Sequence, residues 1–299
     1  MRRTNHFIAH SDWESVSLLL VRYCEIGLKS TPVRRRFENI LKDNMLTMLA
    51  ADGVEAIITY ADARYFIETD DIKRCADSVK KVFGIASLSV AEECASDMDD
   101  ICRTAADYSV GRISKGQSFA VKARREGTHP YTSMDVGREA GSAIFIRNED
   151  LGVKVDLTDP DKIFYIEVRN NKAYVFDSYI NCPGGLPLGS QGRVFADIRD
   201  RRGMVSAWMM MKRGCRAMVN GDYGMDLLRR YDPTIRAVTD VEIENDSVKE
   251  ILGMVMGTSL EGLDSVDVSK YDVPVYFPTI GMTDEEVDEL YQRIESASF

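Results

Sequence analysis

The chain has 299 residues, 44% of them hydrophobic and 29% charged, with 8 Pro and 21 Gly. That balance excludes collagen-like and low-complexity classes, and the length predicts two or three domains. The formal net charge of −10 argues against nucleic acid only as a sum. Ala217–Phe299 holds 18 acidic and 6 basic residues, net −12, whereas the first 216 residues hold 30 and 32, net +2. The acidity therefore belongs to the C-terminal third, and the remainder keeps the charge to face a polyanion.

No apolar run reaches the roughly 18 residues of a membrane span, and Val16–Val21 is too short for a signal peptide. The expected compartment is the cytoplasm, with no membrane partner. The six cysteines (Cys24, Cys75, Cys94, Cys102, Cys182 and Cys215) include no C-x-x-C spacing, and only three His are present. Buried free thiols are expected, with no metal site and no disulfide framework.

In chain order, residues 1–14 read as a loose polar arm, His6 and His10 included. Ser15–Tyr23 reads as a buried strand, and Pro32 opens a helix to about Met48 with apolar residues at helical spacing. Ala56–Tyr60 and Ala63–Ile67 read as strands, Asp70 and Asp71 cap a helix, and Ala86–Val90 closes the set. The order β-α-β-β-α-β is ferredoxin-like. A helix over Asp97–Tyr108 follows, then a strand at Phe119–Ala123 and a helix over Ser133–Ala143 with Ser133 as its expected N-cap. Strands are predicted at Asp156, Lys162–Arg169 and Ala173–Tyr179, the last two joined by an Asn170-Asn171 turn. Cys182–Pro187 is the clearest linker. Beyond it come a strand at Arg193–Ala196, a Met-rich helix over Gly203–Arg213, a strand at Val273–Phe277 and a final acidic helix. Thr283 and Glu286 form the capping box of that helix. Alternating strands and helices here predict a parallel α/β layer.

The most pointed chemical feature is Gly111–Arg125, which carries Arg112, Lys115, Lys122, Arg124 and Arg125 and no acid. Lys122 and Arg124 share one strand face, and Arg138 follows on the next helix. A cationic strand end beside a helix start suits phosphate. A second basic group is Lys29 with Arg34, Arg35 and Arg36, in the first turns of a helix where arginine opposes the dipole. His129 has no nucleophile in its neighbourhood of sequence, so no catalytic residue is assigned. Neither common Gly-rich nucleotide signature occurs.

Several segments together resemble the ThiI family of tRNA sulfurtransferases, which make 4-thiouridine. Arg22–Ser30 is similar to the family's RYGEIxLKG, and Val82–Ser87 to its VFGI-x-S. Phe119–Arg125, Tyr131, Ser133–Asp135 and Arg138–Gly141 resemble its THUMP segment. Val155–Leu157 with Asp159-Pro160, Ile166–Arg169 with Ala173-Tyr174, and Gly184–Gly189 match further landmarks in the family's order. The resemblance implies an α/β chain of three parts. These are a ferredoxin-like domain at 1–90, a THUMP domain at 91–187 that binds tRNA near its acceptor end, and a truncated Rossmann-like PP-loop domain at 188–299. It gives the basic stretch with Lys122, Arg124 and Arg125 to RNA phosphate, and Lys29, Arg34, Arg35, Lys115 and Arg138 are expected to join them in binding RNA.

The same resemblance implies a loss in the last third. Ser206–Gly214 is similar to the family's helix ending AAYLMMKRG, which sets the ATP-cradling SGGxDS at Ile198-Arg199-Asp200-Arg201-Arg202-Gly203. Bulky side chains there prevent a tight backbone cradle. Gly253–Leu263 and Pro274–Met282 resemble later landmarks with a shortened span between them, and Cys215 stands where a two-thiol exchange would need a pair. The expectation is a tRNA-binding protein without its own ATP-dependent thiolation and without a cofactor. Its partners would be tRNA and a tRNA-modifying enzyme or a second copy. The alternatives are an active sulfurtransferase with an unusual nucleotide site, and a scaffold acting through the acidic third.

Overall fold

The computed structural model describes residues 16–23, 25–238 and 251–299. The N-terminal arm with His6 and His10, together with Cys24, lies outside the described residues. The chain separates into two compact units: Ser89–Ser178 with the N-terminal segment through Leu19, and Leu20–Leu88 with Tyr179–Phe299.

In the second unit, β1 (Val16–Arg22) is followed by α1 (Thr31–Ala51), β2 (Ile57–Ala61), β3 (Arg64–Glu68), α2 (Ile72–Val79) and the start of β4 (Ser87–Ala95). The sheet runs β2-β3-β1. β2 and β3 form an antiparallel hairpin from Ile57↔Glu68 to Ala61↔Arg64, turned by Asp62 and Ala63 at φ 49° and 56°. Two successive left-handed residues match the twist of a two-residue hairpin. α1 buries Phe37, Leu41, Met45, Met48 and Leu49 at i, i+4 and i+3 spacing. Asp71 caps α2 by accepting from Arg74 N–H at 3.0 Å.

The first unit adds α3 (Met98–Ser109), β5 (Ser118–Glu126), α4 (Ser133–Arg147), β6 (Lys154–Val155), β7 (Lys162–Arg169) and β8 (Lys172–Phe176). Its sheet runs β4-β8-β7-β5-β6. β7 pairs parallel with β5 over eight residues, from Phe119↔Lys162 to Glu126↔Arg169, and antiparallel with β8. Asn170 turns that second pairing at φ 50°. Phe119, Phe164, Ile166, Val168, Ala173 and Val175 face Ile101, Ala105, Val136, Ala140 and Ile144 in one core. Both helices thus pack on one face of the sheet. The N-cap of α4 is Thr132 rather than the expected Ser133: its hydroxyl accepts from Asp135 N–H and the Asp135 carboxylate accepts from Thr132 N–H. The box closes one residue earlier because it needs an acid at the third helical position, and Asp135 supplies it.

The chain then returns to the second unit through β9 (Ile180–Asn181), which pairs with Ser87 and Leu88. Gly185, at φ +78°, follows; a Cβ there would lie 2.1 Å from Lys212 O, so only glycine fits this turn. Next come β10 (Arg193–Asp197), α5 (Arg201–Lys212), β11 (Arg216–Asn220), α6 (Met225–Arg229), β12 (Arg236–Ala237), β13 (Ile251–Val255), β14 (Val275–Tyr276) and α7 (Asp284–Ser296). The five strands are all parallel in the order β12-β11-β10-β13-β14. Order reverses between β10 and β13, the place where open α/β sheets hold ligands. The Met-rich helix serves the core: Met204 and Met211 are fully buried with Trp208. Trp208 meets Phe83 at 5.4 Å, Tyr231 at 5.8 Å and Phe299 at 5.6 Å between ring centroids. Truncating this ring in Trp208→Ala is expected to cost about 3–5 kcal/mol, measured as a shift of the urea midpoint of the full chain.

Candidate nucleic-acid interface

β5 carries its cations toward its C-terminal end. Lys122 and Arg124 are exposed on the sheet face opposite the helices, in register with Tyr165 and Glu167. Arg125 points to the other face, where its Nη1 donates to Gly127 O at 2.7 Å and lies 3.4 Å from His129 Nδ1. His129 Nε2 is 2.5 Å from the Asn170 carbonyl, so that nitrogen carries the proton and Nδ1 is left to accept. The imidazole stacks on Tyr131 at 5.3 Å, and the Tyr131 hydroxyl donates to Ser96 O. His129 is thus a support for Arg125 and the turn, with both ring nitrogens engaged.

The acids nearest these cations are held by another residue. Arg169 binds Glu126 at 2.5 Å and Glu167 at 3.3 Å. Among the described residues, Lys122, Arg124 and Arg125 enter no ion pair, so their charge faces outward. Sequence reasoning missed Arg169, because 43 residues separate it from Glu126 and only the β5–β7 register joins them.

The other predicted cations are placed differently. Arg138, on α4, is bound by Asp135 and Glu139 at 3.3 and 3.1 Å yet stays 69% exposed. Lys115 is exposed in the turn before β5, at the opposite end of the strand from Arg124. Lys29 and Arg35 are exposed in the other unit, around the start of α1, and Arg34 lies 3.9 Å from the buried Glu38. Glu38 also accepts from the hydroxyls of Tyr23 and Tyr60, at 2.5 and 2.8 Å.

The segment from Ile198 to Gly203 lies at the β10/β13 switch point, beside a cavity of about 750 Å³ lined by Asp200, Arg201, Arg202, Thr258, Ser259 and Asp288. Each of its arginines has an acidic partner, Arg199 and Arg201 while still exposed and Arg202 nearly buried. Arg199 pairs with Asp197 at 3.0 Å and Arg201 with Asp288 at 2.5 Å. Arg202, only 11% exposed, donates to Thr279 O, Met282 O and Asp284 at 2.8, 3.0 and 2.6 Å. Ile198 is buried, and Asp200 caps α5 by accepting from Gly203 N–H at 2.7 Å. A Cβ on Gly257 would lie 2.2 Å from Gly203 N, so the loop after β13 rests directly on the first turn of α5. The Gly203 N–H is thus taken by the Asp200 carboxylate and lies against Gly257. Cys215 is buried, and that burial raises its thiol above the ordinary value; burial pushes Cys182 up to about 12. Both are poor thiolates. Among the described residues no group of three or more His, Cys, Asp or Glu could hold a metal. Nor is any helix long and apolar enough to cross a membrane.

With this geometry in view, the two units carry recognisable modules. Residues 18–89 match the ThiI ferredoxin-like domain and residues 95–176 the THUMP domain. The chain belongs to the ThiI family. It is 41% identical over 202 residues, 66% of its length and 49% of the relative's, to a probable tRNA sulfurtransferase of Methanosarcina acetivorans. The chain spans about half the length of the curated relatives it matches most strongly. A solved protein of Pyrococcus horikoshii, PH1313, matches 94% of this chain and all of its own at 26% identity with a TM-score of 0.79. A 4-thiouridine synthetase solved with RNA and bound ATP shares the fold at 21% identity, covering 94% of this chain and 86% of its own, with a TM-score of 0.76.

Removing the Arg202 side chain leaves two carbonyls and a carboxylate without their donor. Arg202→Ala is expected to cost about 2–3 kcal/mol, whereas Arg199→Ala, at an exposed site, stays within about 0.5 kcal/mol. Urea titration of both variants checks the contrast.

Proposed function

We propose that this chain binds tRNA at its acceptor-stem region through the THUMP module and does not itself carry out ATP-dependent thiolation. The observation that carries the reading is the cationic end of β5, where Lys122, Arg124 and Arg125 enter no ion pair among the described residues while Arg169 holds the adjacent acids. Lys115 and Arg138, in the same unit, reach further phosphates, and Lys29, Arg34 and Arg35 are phosphate contacts of the other unit. Such contacts position an RNA by its shape and carry little sequence information. The division into 1–90, 91–187 and 188–299 assigns RNA to the first two parts. The compartment is the cytoplasm, and the partner after tRNA is a modifying enzyme or a second copy.

ATP does not fit the residues present. The Asp200 carboxylate occupies the start of α5, Gly257 lies against Gly203, and the arginines are neutralised by Asp197, Asp284 and Asp288. The relatives are named as probable tRNA sulfurtransferases, and the solved synthetase holds both RNA and ATP. The free cations of β5 support the first ligand for this chain, and the occupied start of α5 argues against the second.

Binding of total tRNA across a salt series tests the reading. With about five phosphates contacted, the log–log slope is expected near −4, and Lys122→Glu with Arg124→Glu reduces its magnitude by about 2. Unchanged affinity in that double variant overturns the assignment. Mixing the protein with ATP and tRNA is expected to release no pyrophosphate; release restores the sulfurtransferase reading.

A further inference from the structure

β2 is an edge of its sheet, and Tyr60 stands on it with 46% of its surface exposed. Its hydroxyl is engaged: it donates to the Glu38 carboxylate at 2.8 Å and lies 3.3 Å from the Tyr23 hydroxyl. Tyr65, directly opposite on β3, backs the ring at 5.1 Å between centroids. Tyr65 is itself buried and donates to Glu38 O at 2.6 Å. What is left of Tyr60 for a ligand is an aromatic face held in one orientation.

Holding that ring takes a buried charge. Glu38 is 7% exposed, and a buried carboxylate needs donors to offset its lost hydration. Tyr23 and Tyr60 supply two, and the Arg34 guanidinium stands 3.9 Å from the same oxygen. Apolar side chains of similar volume often serve stability as well as such a cluster. Here the cluster also fixes an exposed ring beside an arginine. Lys29 and Arg35, around the start of α1, are exposed and enter no ion pair among the described residues. No acid stands in the first turn of α1. Sites for single-stranded nucleic acid combine these parts: cations that follow the backbone, and an aromatic face for a base. Such stacking accepts any base, but only one not already stacked within a helix.

We infer that Tyr60 is a stacking platform for an unpaired base of the bound RNA, with Lys29, Arg34 and Arg35 holding the phosphates beside it. This rests on the RNA-binding reading and deepens it. The cations of β5 contact phosphate whether or not the bases are paired, whereas Tyr60 selects single-stranded nucleotides. The basic run around Arg34 is visible in the sequence. The ring is not, because 22 residues separate Tyr60 from Glu38 and only the fold joins them.

The test compares two RNAs at one fixed salt concentration. One is a blunt hairpin, and the other is the same hairpin with a four-nucleotide single-stranded extension on its 5′ or 3′ strand. The readout is the ratio of their affinities for the full chain. The wild-type chain is expected to favour an extended hairpin about 5- to 150-fold, the range for one base stacked on an aromatic ring. Tyr60→Leu is expected to bring the ratio close to one, and Tyr60→Phe, which keeps the ring, to retain most of the preference. Lys122→Glu with Arg124→Glu is expected to weaken both RNAs and leave the ratio as in the wild type. A wild-type ratio near one overturns the platform and leaves the phosphate contacts standing. So does a Tyr60→Leu chain with the wild-type ratio, or a Tyr60→Phe chain that loses the preference as fully as Tyr60→Leu. Binding of neither hairpin overturns this inference together with the RNA-binding reading.

Discussion

The parallel pairing of β5 with β7 is the constraint on which the THUMP unit depends. Eight consecutive partners, Phe119 to Glu126 against Lys162 to Arg169, decide which side chain faces which way. Because successive residues alternate, one register sends Phe119 and Val121 to the helices and Lys122 and Arg124 to the open face. The same register brings Arg169 beside Glu126, with Glu167 two residues along its own strand. A slip of one residue would bury the lysine and expose the core, so hydrophobic burial and the cationic surface are enforced by one set of backbone hydrogen bonds.

The C-terminal sheet is an open parallel α/β layer whose charges are matched internally. Strand order reverses between β10 and β13, and a cavity opens there. Its charges satisfy one another. Asp200 takes the N-terminal dipole of α5, and Asp284 and Asp288 on α7 take the two arginines. Arg202 is the most consequential of these because it is nearly buried and donates three hydrogen bonds. The acidity of the last third thus serves in part as the internal counter-charge of the loop before α5.

Much of this was legible from residues. The β-α-β-β-α-β order, the hairpin at Asn170, the Thr283–Glu286 box and the parallel C-terminal layer follow from period, turn chemistry and caps that act within a few positions. The Met-rich helix packs Met204 and Met211 into the core. The start of α4 was displaced by one residue, since Thr132 and Ser133 are equivalent caps until the acid at Asp135 chooses between them. Of the candidate site, the free cations at Lys122 to Arg125 were readable as an acid-free basic run. Lys115 belonged to the same run but sits at the other end of the strand, because a nine-residue strand is too long to bring both ends to one phosphate group.

The sequence by itself determined the local elements, the separation of charge between the first two-thirds and the last third, and the run of bulky residues at Ile198, Arg199, Arg201 and Arg202. Those properties depend on neighbours in the chain or on composition. Tertiary structure alone decided which charges remain free. Arg169 reaches Glu126 across 43 residues, and Arg201 and Arg202 reach Asp288 and Asp284 across more than 80. An ion pair is a matter of a few ångströms in space, and only folding sets that distance for residues so far apart along the chain.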